Sequence, residues 1–300
     1  MLAAALAGIS FAGPLVSLSR ATPLAIAAWR LTFSLFIVGA ALALTSEWRQ
    51  WRLFTTRDTL FSLGAGLCLA LHFWAWNASI QMTTIAASVT LVSLQPAVIV
   101  AISALFLAES PTRRQLAGIA IAIAGAIVIA SPGMSTGRGM LENRALFGNI
   151  LAMSAAVTAG IYYTIGRHLR ARFGLWAYVG PVYLVCTVAL IAAALIRGDQ
   201  LAPQPGREYA IFAGLALGPM LLGHTGMNWA LKYLPAYVVN LVVLGEPIGA
   251  TVLGALIPGI AQVPSFMTLL GGSIVLVGVV IAAGGTVGVA RNSKEDPNVR

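Results

Sequence analysis

Four ionisable side chains stand inside apolar runs: Arg30 in AIAAWRLTFSLFIVGAALAL, His72 in HFWAWNASIQM, His224 in HTGMNWAL and Glu246 in VVNLVVLGEPIGATVLGALI. Hydrocarbon makes an unpaired charge expensive, so such residues usually face a protein interior or a wet cavity. Arg30 and Glu246 therefore have two readings: a structural ion pair or a snorkelling arginine, or a polar route through a membrane. A membrane histidine could pass a proton near neutral pH, or bond a neighbouring helix as a neutral ring. Hydrolytic chemistry lacks its parts. HFWAW and HTGMN are not the HExxH of a helix-borne zinc site. Asp58, Asp199 and Asp296, the only aspartates, lie in or near loops, so no carboxylate pair shares a site. No glycine–lysine phosphate loop is present either. The chain is expected to have no catalytic residue, no metal and no cofactor.

The neighbours of these groups suggest a binding wall. His72 and Trp76 are four apart and share a helix face, whereas Trp74, two residues from Trp76, points elsewhere. Trp76 would offer its ring to an aromatic or cationic solute. His224 and Asn228 repeat the four-residue spacing. Tyr162, Tyr163 and Tyr183 are further aromatic liners, lipid-facing residues or core residues, and Asn77, Asn228 and Asn240 are liners or helix–helix glue. Pro96 and Pro247 each remove an intrahelical hydrogen bond, freeing the carbonyls of Val92 and Val243, and make either gating bends or static kinks. Arg30 lies roughly 12 Å deep from one surface and Glu246 roughly 14 Å from the same one, so their depths match.

These residues must be positioned by membrane helices. Of 300 residues, 9% are charged and 59% hydrophobic, with a mean hydropathy of +0.88. A soluble domain could not hide so much apolar surface, but lipid accepts it on every helix. The net charge of +9 does not point to nucleic acid, because the basic residues sit between apolar segments rather than along a stripe. Cys68 and Cys186 fall in separate apolar stretches and read as small hydrophobes. The apolar runs predict ten transmembrane helices near 2–19, 22–44, 59–80, 83–107, 114–131, 145–166, 174–196, 208–231, 235–257 and 266–289. With both termini cytoplasmic, the inner side carries twelve lysines and arginines against five outside, the direction of the positive-inside rule.

The chain also repeats itself. Trp76, Pro111, Gly118 and Gly125 recur 153 residues later as Trp229, Pro264, Gly271 and Gly278. His72 and His224 are 152 apart, Pro96 and Pro247 151 apart. This divides the chain into a first repeat over 1–131, a hinge loop over 132–144, a second repeat over 145–289 and a cytoplasmic tail over 290–300. Five helices per repeat is odd, so the second would enter the membrane upside down. The expected fold is an all-α polytopic membrane protein of two inverted five-helix repeats, an arrangement suited to alternating access.

The ten-helix pattern resembles the drug/metabolite transporter superfamily, in particular its EamA-type branch. The likeness rests on LQPAVIVAISALFLAESP before QLAGIAIAIAGAIVIA in the first half, and on LKYLPAYVVNLVVLGEPIGATVLGALIPGIAQVP in the second. The second half departs in carrying Gln262 where the first has Glu109. HFWAW and the Glu246-Pro247 pair are similar to bacterial aromatic-amino-acid exporters of this superfamily. That resemblance implies a basket-shaped bundle in the bacterial inner membrane, with a cavity formed mainly by helices three, four, eight and nine. It also implies export of amino acids or related metabolites by a protein that works as a monomer among membrane lipids. The alternatives are a broader metabolite or drug exporter, and a non-transporting membrane subunit.

Overall fold

A computed structural model describes residues 1–106, 112–130 and 140–292. Glu109, Pro111, most of the 132–144 hinge and most of the 290–300 tail lie outside the described residues. The elements are helical: α1 (Leu2–Ser10), α2 (Ala12–Leu18), α3 (Pro23–Thr45), α4 (Thr56–Met82), α5 (Ile85–Val92), α6 (Gln95–Phe106) and α7 (Arg113–Ala130). They continue as α8 (Met140–Arg170), α9 (Leu175–Arg197), α10 (Gly206–Leu215), α11 (Gly226–Ala230), α12 (Ala236–Leu241), α13 (Glu246–Leu256) and α14 (Phe266–Asn292). A 3-10 segment, Glu47–Leu53, precedes α4; a π-helical stretch, Ala216–Thr225, joins α10 to α11; and a 3-10 turn, Val242–Gly245, joins α12 to α13.

The expectation of ten transmembrane helices in two five-helix repeats is corrected here. Among the described residues seven segments are long and apolar enough to cross a membrane: Pro23–Thr45, Thr56–Met82, Ile85–Ile102, Asn143–Arg170, Leu175–Arg197, Gly206–Ala230 and Ala236–Leu256. Leu2–Leu18 and, as far as the side chains of α14 are described, Phe266–Ala282 are shorter apolar stretches. Pro14 has no N–H for the Ser10 carbonyl, and the first segment breaks at Phe11 into α1 and α2. Apolar composition runs straight through such interruptions and so overcounts crossings.

Local chemistry sets several helix starts. Thr22 caps α3, its hydroxyl accepting from the Ala25 N–H at 3.3 Å with Pro23 in the first turn. Thr55 and Asp58 form a reciprocal capping box on α4, with the Thr55 N–H donating to Asp58 at 2.9 Å. Glu47 caps α9 from a distance in sequence: its carboxylate accepts from the Trp176 and Ala177 N–H groups at 2.8 and 3.1 Å. Glu47→Ala should cost about 1–2 kcal/mol, read as a lower melting temperature in detergent, because it strips a charged cap from a helix N-terminus.

The repeated glycines meet in space. Antiparallel α7 and α14 approach so closely that a Cβ on Gly118 would lie 2.6 Å from the Gly278 carbonyl, and one on Gly125 would lie 2.7 Å from that of Gly271. Exchanging each residue for its counterpart 153 positions away maps one contact onto the other, so the pair packs about a local two-fold. Only glycine permits backbones to touch in this way.

Both ends of the bundle are tied. At one end Arg172 pairs with Asp58 at 2.7 Å, buried Arg170 donates to the Asn228 carbonyl at 3.0 Å, and Arg167 donates to the Leu231 carbonyl. At the other, the Ser19 hydroxyl and Arg20 N–H donate to Glu208, Trp29 donates to the Leu201 carbonyl at 2.8 Å, and Gln81 donates to the Ala21 carbonyl at 2.9 Å.

Candidate functional site

Between these ends lies a small cavity of about 20 Å³. It forms where the helices are interrupted. Ile9 and Ala12 flank the α1–α2 break, Val92 and Gln95 the α5–α6 break, and Val243 and Glu246 the 3-10 turn before α13. Pro219 and His224 come from the π-helical stretch and Met227 from the start of α11. Unbroken α3, α4 and α8 complete the wall with Arg30, His72, Trp76 and Tyr163. Interrupted backbone is tolerated at membrane depth only where protein or a cavity meets it, and here the interruptions make the cavity. The bends also touch each other: the Ser93 hydroxyl donates to the Val89 carbonyl at 2.8 Å and reaches the Val243 carbonyl at 3.5 Å.

The polar groups of the wall are unequally held. His72 Nδ1 donates to the Ala155 carbonyl at 2.9 Å, which leaves Nε2 as the acceptor of the neutral ring. His224 Nδ1 bonds the Tyr163 hydroxyl at 3.0 Å, and the two histidine rings lie 5.9 Å apart between centroids. Arg30 is fully buried, its guanidinium 4.2 Å from the centre of the Phe73 ring. None of its three side-chain nitrogens has a hydrogen-bond partner. Glu246 is 6% exposed and, among the described residues, its carboxylate has no hydrogen bond and no ion pair within 4.0 Å. Arg30 and Glu246 thus face one space without touching. Tyr163→Phe, which removes the hydroxyl held by His224, should cost about 1 kcal/mol in a thermal melt.

Of the residues singled out in the sequence, Arg30, His72, Trp76, Tyr163, His224 and Glu246 come together here. Pro96 and Pro247 stand at the starts of α6 and α13, beside the cavity breaks. Five others are engaged elsewhere. Asn77 donates to the Pro23 carbonyl at 3.1 Å and Asn240 to the Ala236 carbonyl of its own helix at 2.9 Å. Asn228 donates to the His224 carbonyl at 2.8 Å and to the Tyr162 hydroxyl, while Tyr183 bonds Thr225 at 2.8 Å. The lining also draws on more segments than the four the resemblance implied, since α1, α2, α3 and α8 contribute to it. Gln95 is a polar liner that sequence reading passed over. Its signal was available: Gln95-Pro96 matches Glu246-Pro247 at the same 151-residue offset that relates Val92 to Val243. Among the described residues no group of three or more histidine, cysteine or acidic side chains could hold a metal.

Comparison with known proteins places this architecture. A model of the EamA-like transporter family matches residues 1–131 and 146–284. The chain belongs to the EamA-like transporter family. It is a multi-pass membrane transporter, not an enzyme. An uncharacterized transporter of Archaeoglobus fulgidus is 24% identical over 281 residues, 91% of this chain and 93% of the relative. A Streptantibioticus cattleyicolor protein named "probable terminal-alkyne amino-acid exporter" is 28% identical over 211 residues, 68% of this chain and 65% of that protein. One crystal structure aligns with a TM-score of 0.67 at 17% identity, covering 98% of this EamA-like chain and 97% of the other, which shows a shared fold.

Proposed function

We propose that this EamA-like protein exports amino acids, aromatic ones preferred, across the inner membrane of a bacterium by alternating access. The observation that carries the reading is the composition of the cavity wall. His72, Trp76, Tyr163 and His224 give it four rings, and Phe73 lies edge-on to both histidines at 5.1 Å. Stacked or edge-on rings favour an aromatic guest by about 0.5–1.5 kcal/mol per pair beyond burial. The amino-acid exporter named among the relatives supports the solute class. The reading takes the monomer as the working unit.

The test is reconstitution of the purified full chain in liposomes, with labelled phenylalanine, tryptophan and threonine followed separately. Protein-dependent flux should rank both aromatic amino acids above threonine. Trp76→Ala should narrow that ranking by roughly tenfold, the loss of about one stacking partner and its buried area. Absence of flux for a broad set of amino acids would sink the amino-acid reading. Flux of unrelated cationic drugs at equal rates would replace it with a broader exporter.

A further inference from the structure

We infer that Arg30 and Glu246 form a receptor for an amino-acid zwitterion, Arg30 holding the α-carboxylate and Glu246 the α-ammonium. This rests on the amino-acid reading above and adds to it which atoms of the solute are recognised. The argument begins with the cost of burial. A guanidinium removed from water with three unpartnered nitrogens, and a carboxylate 6% exposed without a hydrogen bond, are each expensive to keep. A structural ion pair would relieve both, and the two side chains line one cavity, yet no contact within 4.0 Å joins them. Their backbones explain the separation. Arg30 is fixed on unbroken α3 and drawn onto the Phe73 ring, whereas Glu246 sits in the first turn of α13, after the 3-10 turn.

An amino acid carries a carboxylate and an ammonium on the same carbon, so one guest could satisfy both groups while its side chain met the rings of Trp76 and Tyr163. Arginine suits the carboxylate because its planar fork can donate two parallel N–H bonds. Glu246 accepts only, which matches an ammonium that only donates. The Gln95 Oε1, also buried and without a partner, provides a second acceptor on the same wall. A solute with only one of the two charges would leave the other protein charge uncompensated. Such a site therefore selects by charge pattern, and the rings then select by shape.

The experiment compares three probes in liposomes containing the full chain: tryptophan, tryptamine, which lacks the carboxylate, and indolepropionate, which lacks the ammonium. The wild type should move tryptophan roughly 10- to 100-fold faster than either, the worth of one charge-assisted hydrogen-bonding group. In Arg30→Gln the preference over tryptamine should collapse while that over indolepropionate persists; Glu246→Gln should show the reverse. Arg30→Lys keeps a cation and should retain most of the preference over tryptamine. Ligand-induced melting shifts in detergent give the same ranking without transport and report whether each variant folds. An equal fall for all three probes in both variants would overturn the zwitterion site and leave amino-acid export standing. A wild type that moved none of the three would overturn both.

Discussion

Gly118→Leu should leave almost no folded protein. The smallest side chain at this position already fails, because its Cβ would sit 2.4 Å from the Ala282 nitrogen and 2.6 Å from the Gly278 carbonyl. Those obstacles are backbone atoms of α14 and cannot rotate away, so the helices must separate. Overpacking costs about 1–3 kcal/mol where side chains can adjust, and the expected loss here is at the top of that range or above it. The readout is the yield of a monodisperse peak in detergent and its melting temperature. Gly39→Ala is the control, since a Cβ there meets nothing within 4 Å and α3 should gain helix propensity. A near-normal melting temperature for Gly118→Leu would show that α7 and α14 do not pack backbone to backbone.

The second large effect is expected at Arg170. Its Nε donates to the Asn228 carbonyl at 3.0 Å and its NH1 donates to the Phe173 carbonyl, with the residue 2% exposed. Arg170→Ala removes both donors and leaves two buried carbonyls unpaired. Charge-assisted bonds contribute about 1.5–3 kcal/mol each, so a loss of about 3 kcal/mol is the expected order. Arg170→Lys should recover less than half, because an ammonium cannot span the two carbonyls as a planar fork does. Thermal melts of the three proteins at equal detergent concentration decide the matter. Equal melting temperatures for Arg170→Lys and wild type would argue that the charge alone, not the fork, ties this end together.

Arg170 also marks a limit of reading the chain without its fold. On the sequence it is one of several arginines in a connection between apolar runs, and it counts toward topology. In the fold it is a buried fastener, because Phe173 and the end of α11 close over it. The apolar runs themselves were plain, and Pro96 and Pro247 marked bends where the α5–α6 break and the turn before Glu246 lie. The break at Phe11 is flanked by residues that continue the hydrophobic pattern, so composition runs through it. The cavity is made of those interruptions. What did carry over was the rule that charge inside an apolar run must face protein: it found Arg30, His72, His224 and Glu246. Amides gave a weaker signal. Asn77 and Asn240 spend their N–H groups on backbone carbonyls, and nothing in their neighbours distinguished that use from binding a solute.

The π-helical stretch makes one wall of the cavity a matter of register. A π turn accommodates one more residue than an α turn, and at the end of this stretch the Thr225 side-chain hydroxyl donates to the Met220 carbonyl at 3.1 Å. Were Ala216–Thr225 to tighten to α geometry, the surplus residue would be pushed along the span and the side chains beyond it would turn by about 100°. His224 would then leave the Tyr163 hydroxyl and Met227 would leave the wall. The lining on that side is thus set by a count of residues per turn, and a single insertion or deletion within this stretch would re-aim it where most point substitutions would not.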